Sequence, residues 1–153
     1  MPVSPQSNLV PITLTLDTSA YASGDVLSDT QVVADAVPGN DGEAILQSLA
    51  LIDEDDQKAA MTLMFFSGSG SLGTENSAPN ISDANAREYL GKVPVLTTDY
   101  DDLGGVSVVN FKNIGLVVRG ALGTRNIYVA VLNGSGTPTF TASGIKLRLG
   151  FLW

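Results

Sequence analysis

Cysteine and histidine are both missing from this 153-residue chain. Without cysteine there is no disulfide, so stability has to come from packing or from association between chains. Without either residue, the Ser-His-Asp triad, the Cys-His nucleophile and the usual zinc, copper and non-haem iron ligand sets are unavailable. Basic residues are scarce: eight Lys and Arg stand against sixteen Asp and Glu, for a net charge of −8. The eight are scattered, and binding to phosphates needs clustered cations, so no nucleic-acid partner is expected. The acidity reads instead as solubility and resistance to unwanted association. No apolar run approaches the ~20 residues that span a bilayer. Residues 1–8 lack the basic and apolar regions of a signal peptide, so the expectation is a soluble chain, made inside the cell, with no membrane partner.

What is present is period two. Ile127, Val129 and Val131 alternate with Tyr128, Ala130 and Leu132, and Ile145, Leu147, Leu149 and Phe151 alternate with Lys146, Arg148, Gly150 and Leu152. Successive side chains leave a strand on opposite faces, so both segments read as strands, the last with one dry and one wet side. Ile12–Leu16, Val32–Val37, Met61–Phe66, Val93–Val95, Val106–Val109 and Ile114–Val118 are further strands, divided by turn signals such as Pro38-Gly39-Asn40-Asp41-Gly42. Ala44–Asp53 is ambiguous between a helical stripe and a strand buried on both faces; the neighbours favour strand. Ser82 as N-cap, Asp83 in the first turn and Gly91 beyond the end predict one short helix over about 83–90. The fold expected is all-β: a jelly-roll-like two-sheet sandwich forming a single domain over residues 12–153. Residues 1–11, with Pro2, Pro5 and Pro11, are expected as an extended, flexible N-terminal arm.

Three features invite a chemical reading. Gly68-Ser69-Gly70-Ser71-Leu72-Gly73 matches G-x-G-x-x-G, but a dinucleotide loop must open straight into a helix, and Thr74–Asn80 does not. Asp53-Glu54-Asp55-Asp56 and Asp99-Tyr100-Asp101-Asp102 offer carboxylates for Ca²⁺, yet neither fits the EF-hand spacing. The same carboxylates could form a glycosidase pair, but such a cleft needs aromatic walls and the single Trp is residue 153. The chain is therefore expected not to be an enzyme, with no catalytic, cofactor-binding or metal residues.

Three stretches carry a resemblance: Asp17–Leu27, Leu49–Gln57, and Gly115–Gly120 leading into Ile127–Leu132 and the closing strand. In these the chain resembles the decoration, or cement, proteins of tailed-bacteriophage heads. The resemblance implies a structural virion protein on the capsid exterior, made in the bacterial host cytoplasm. Its partner would be the major capsid protein, which it stabilises, and its own state a homo-oligomer, with a trimer favoured. Another virion component, at the neck, tail or fibre base, is the alternative, and a carbohydrate-binding β-sandwich a further one. On this reading Pro2, Val3, Pro5, Leu9, Leu72 and Trp153 are the candidate protein–protein contacts, with the arm and the Ser67–Gly73 loop touching capsid or sister subunits.

Overall fold

Four antiparallel pairings, nested one inside the next, define the architecture. In a computed structural model that describes residues 6–153, the strands are β1 (Ser7–Thr13), β2 (Val26–Val33), β3 (Glu43–Asp53), β4 (Met61–Phe66), β5 (Tyr89–Val95), β6 (Asp101–Asp102), β7 (Ser107–Phe111), β8 (Leu116–Arg119), β9 (Ile127–Asn133) and β10 (Ile145–Leu152). β1 pairs with β10, β2 with β9, β3 with both β7 and β8, and β4 with β5. This is one long antiparallel ribbon rolled up on itself. Rolling it gives one sheet in the order β1-β10-β3-β7-β6, with β8 also on β3, and a second in the order β2-β9-β4-β5. That order is the jelly roll, so the expected all-β two-sheet sandwich is the fold observed.

Alternation decides which side chains fill the space between the sheets. Ile145, Leu147, Leu149 and Phe151 of β10, and Ile127, Val129 and Val131 of β9, are all buried, together with Leu46, Leu49 and Leu51 of β3 and Leu63 and Phe65 of β4. Each fully buried side chain of this size contributes about 1.5–3 kcal/mol relative to exposure. β3 alternates rather than being buried on both faces, because its outer side meets solvent. Asp35, with φ of 55°, stops β2 short of the expected end at residue 37, although Ala36 and Val37 still enter the core.

Both long sides of the sandwich are closed by side chains. On one side Gln31 substitutes for a missing ladder: its Oε1 accepts from the Thr15 N–H at 2.7 Å and its Nε2 donates to the Thr13 carbonyl at 3.0 Å. On the other, Leu116 lies over Gly91, where a Cβ would come within 2.6 Å of Leu116 Cδ1 and φ is +154°. Tyr21 pins the first crossing between sheets. Its hydroxyl accepts from the Asp17 N–H at 2.7 Å and donates to the Leu27 carbonyl at 2.9 Å, while its ring leans on Phe140.

Two expectations need correction. The arm does not reach residue 11: Ser7–Pro11 makes up most of β1, paired with β10, because Leu9, Val10 and Ile12 give a strand pattern on which Pro11 is tolerated at a sheet edge. The helix is a single turn, Asp83–Ala86, not 83–90. Ser82 does cap it, its Oγ accepting from the Asn85 N–H at 3.2 Å, but no helix residue is buried, and the pairing of β5 with β4 claims the chain from Tyr89 onward. Gly91 therefore serves the strand, not a helix end.

Candidate interaction surface

The outer face of the six-stranded sheet carries several exposed apolar side chains close together. Outward positions come from four adjacent strands. Leu152 is the cross-strand partner of Ile45, which is also the partner of Val117, so three aliphatic side chains form one row from β10 to β8. Leu9 on β1 stands beside Gly150, in the neighbouring row. Their exposures are 44% for Leu152, 40% for Ile45, 61% for Val117 and 60% for Leu9. Together with Glu43 and Ala44, the Leu152 row and Trp153 line a shallow cavity of about 290 Å³. Trp153 is half-buried, packs against the main core, and donates its backbone N–H to the Gln6 carbonyl at 3.0 Å. Farther along the same face the rows turn polar: Pro11, Arg148 and Ala50, then Thr13, Lys146 and Ile52. Lys146 pairs with Glu54 at 2.6 Å, whereas Arg148 is exposed and forms no ion pair among the described residues.

The two acidic segments meet at one end of the sandwich and are used up internally. Asp53 is fully buried; its carboxylate accepts from the Lys58 N–H at 2.8 Å and the Asp55 N–H at 3.1 Å, and burial still pushes its carboxyl above the usual range. Asp55 binds the Thr141 N–H at 2.8 Å, and Asp56 accepts a short hydrogen bond from the Ser107 hydroxyl. Lys58 Nζ bridges Asp102 at 2.8 Å and Asp56 at 3.2 Å, which holds the Asp102 carboxyl below its usual range. The result is a tied loop junction, with no group of three or more ligands placed to hold a metal among the described residues.

The glycine-rich loop is likewise committed. Asp29 accepts from the Leu72 N–H and the Ser71 hydroxyl, each at 2.7 Å, and Thr30 donates to the Gly70 carbonyl at 3.0 Å. Leu72 is only 3% exposed, packed with Val26, Phe66 and Ala130 in a second small core on the outer side of the four-stranded sheet. Leu72 is therefore not a surface contact, contrary to expectation, because its side chain is what holds the loop down. Of the other candidate contacts, Leu9 is exposed and Trp153 borders the same face; Pro2, Val3 and Pro5 lie outside the described residues. Sequence reasoning missed Ile45, Val117 and Leu152, which look like core residues until strand pairing shows which side they take.

The aromatics are spread over the molecule. Tyr128, Phe66 and Tyr89 form one cross-strand row on the outer side of the four-stranded sheet, and the Phe66 and Tyr89 rings meet at a tilt of 56° with centroids 5.6 Å apart. Phe66 is buried beneath the loop, however, so only Tyr89 of that row is exposed. Tyr100 is half-buried with its hydroxyl on the Ala59 carbonyl, and burial raises its pKa. No protein-family model matches the chain, and no curated protein is significantly similar to it.

Proposed function

We propose that the chain is a structural virion protein of a tailed phage, a decoration protein that binds the outside of the capsid and stabilises it. The observation that carries this reading is the distribution of exposed apolar side chains. Nine large hydrophobic residues are exposed among those described, four of them contiguous on one sheet face, with Leu96, Leu103 and Leu122 on loops. Contiguous exposed apolar surface on a soluble domain marks contact with other macromolecules. A jelly roll tied at its loops, with its polar clusters satisfied internally, supplies a rigid body on which such contacts are fixed. The net charge of −8 suits a protein that must stay dispersed until it meets a repeated surface. A neck, tail or fibre-base protein would use the same surfaces. A glycan-binding role is less favoured, since the aromatic row offers a single exposed ring.

The test is co-sedimentation of the purified protein with expanded, undecorated phage heads, scored by saturable binding and by the temperature at which heads lose their DNA or disassemble. Saturable binding with raised head stability is expected; absence of binding to any head preparation overturns the capsid assignment. Deleting residues 2–5 spares every β1–β10 pair and the Trp153–Gln6 hydrogen bond, so it should leave the melting temperature in place while weakening head binding. Unchanged affinity would remove the terminal segment from the contact.

A further inference from the structure

We propose that the outer face of the six-stranded sheet binds a second copy of this chain, face to face about a two-fold axis. The face is complementary to itself. Consider an axis lying in the plane of the face, perpendicular to the strands, and crossing β3 between Leu46 and Gln47. It carries the row of Ile45 onto the row of Ser48, and the row of Glu43 onto the row of Ala50. The Ile45 row is the raised one, with Leu152 and Val117 on either side. The Ser48 row is lower on β3 and β10, where it holds only Ser48 and Gly150, the Ser48 Oγ lying over the glycine where a Cβ would be. Ile45 and Leu152 of one copy thus meet these two small residues in the other. Sheets packed face to face lie about 10 Å apart, a distance that large aliphatic side chains over small ones can fill.

The charges agree with the same axis. Arg148 is the cross-strand partner of Ala50, so the axis brings Glu43 of each copy beside Arg148 of the other. Both side chains are exposed, and neither forms an ion pair within the described chain; even Arg119, the ladder partner of Glu43, does not come within ion-pair distance. An isologous contact repeats each pair twice, so both unpaired charges find partners. The extent suits a weak, reversible contact. About this axis β3 overlaps its copy over residues 43–50, and that length at ~3.3 Å per residue, with four strands at ~4.8 Å spacing, gives a face on the order of 500 Å², below the ~800 Å² per partner of a standard interface. The contact uses the same face on which the capsid reading rests, and dimerisation of the purified chain is measured without phage heads, so the two can fail separately.

Sedimentation velocity across micromolar to millimolar protein is the test. The unaltered chain is expected to shift reversibly from monomer to dimer. Val117→Asp places a charge in the raised row at a position already exposed in the monomer, and should leave a folded chain that no longer dimerises. Glu43→Arg and Arg148→Glu alone should each weaken the dimer by roughly tenfold or more, the scale of close charge pairs at interfaces. An equimolar mixture of those two variants should recover a dimer, since each then meets the opposite charge at both sites, and the double variant in one chain should recover it too. A chain that stays monomeric throughout overturns the proposal. So does a dimer indifferent to Val117→Asp, or charge variants that fail to rescue each other.

Discussion

Replacing Tyr21 by Phe removes one oxygen from the core and tests the claim that this residue pins the first crossing between sheets. The ring is 1% exposed and keeps its contact with Phe140, so no cavity of consequence opens. What changes is hydrogen bonding: the Asp17 N–H loses its acceptor at 2.7 Å and the Leu27 carbonyl loses its donor at 2.9 Å. Leu27 is fully buried, so its carbonyl has no water to turn to, whereas Asp17 is only half-buried and its N–H is partly resolvated. One fully orphaned group costs about 1–3 kcal/mol, and the second adds a fraction of that, giving an expected loss of about 2 kcal/mol. For a chain of this size each kcal/mol moves the melting temperature by roughly 2–4 °C, so a fall of about 4–8 °C is expected. Urea denaturation should show a lower midpoint at unchanged slope. The pH dependence supplies an independent check. Burial raises the Tyr21 phenol to about 12 from 10.0. An acid whose pKa is raised by folding contributes stability that is present below the unfolded value and lost as pH rises through the folded one. The unaltered chain should thus weaken between pH 10 and 12 more steeply than Tyr21→Phe does. A variant within about 0.5 kcal/mol of the parent, with parallel alkaline profiles, would refute the pinning role, since that is the scatter of inconsequential surface changes.

Leu72→Ala should cost about 2–4 kcal/mol, the range for emptying a buried leucine site, and should speed hydrogen exchange across residues 67–82 before the rest of the sandwich. Gly91→Ala should cost about 1–3 kcal/mol through positive φ and the clash with Leu116, and pairing it with Leu116→Ala should recover part of the loss; additivity in urea midpoints would mean that the close approach does not matter. Asp102→Asn should lower the melting temperature at pH 7 but not at pH 2. A carboxyl held below its usual value contributes stability above the unfolded pKa, near 3.8, and loses it as pH falls through the folded one. Asp53, raised by burial, runs the other way: relative to Asp53→Asn, the parent should gain stability as pH is lowered, measured by the difference in thermal midpoints.

The dry faces of β9 and β10 were legible because alternation of Ile, Val and Leu with polar residues has one strand solution. The jelly roll followed from strand number and turn spacing. Residues 7–11 were missed because three prolines in eleven residues suggest a linker, while Pro11 is harmless at an edge that needs no donor on its open side. The helix was overextended because its caps are genuine but its length depends on where β5 starts, which β4 decides. Of the interaction face only Leu9 and Trp153 were legible. An outward Ile45 or Val117 has the same identity as an inward Leu46 or Val118, and only cross-strand register, fixed by distant residues, tells them apart.

The position of β10 has a consequence for how the protein comes into being. The last of these ten strands is not at an edge: it lies between β1 and β3, and its register joins Ser7 to Leu152 and Asp53 to Ile145. Until it is synthesised, the six-stranded sheet is split and β1 has no partner. The β4–β5 pair, closest in sequence among the nested pairings, can form early, but the outermost pairing must wait for residues 145–152. Folding of the sandwich is therefore expected to be slow, as in other chains dominated by distant strand pairs. During that interval the apolar edges of β1 and β3 are open to chaperones or to neighbouring nascent chains.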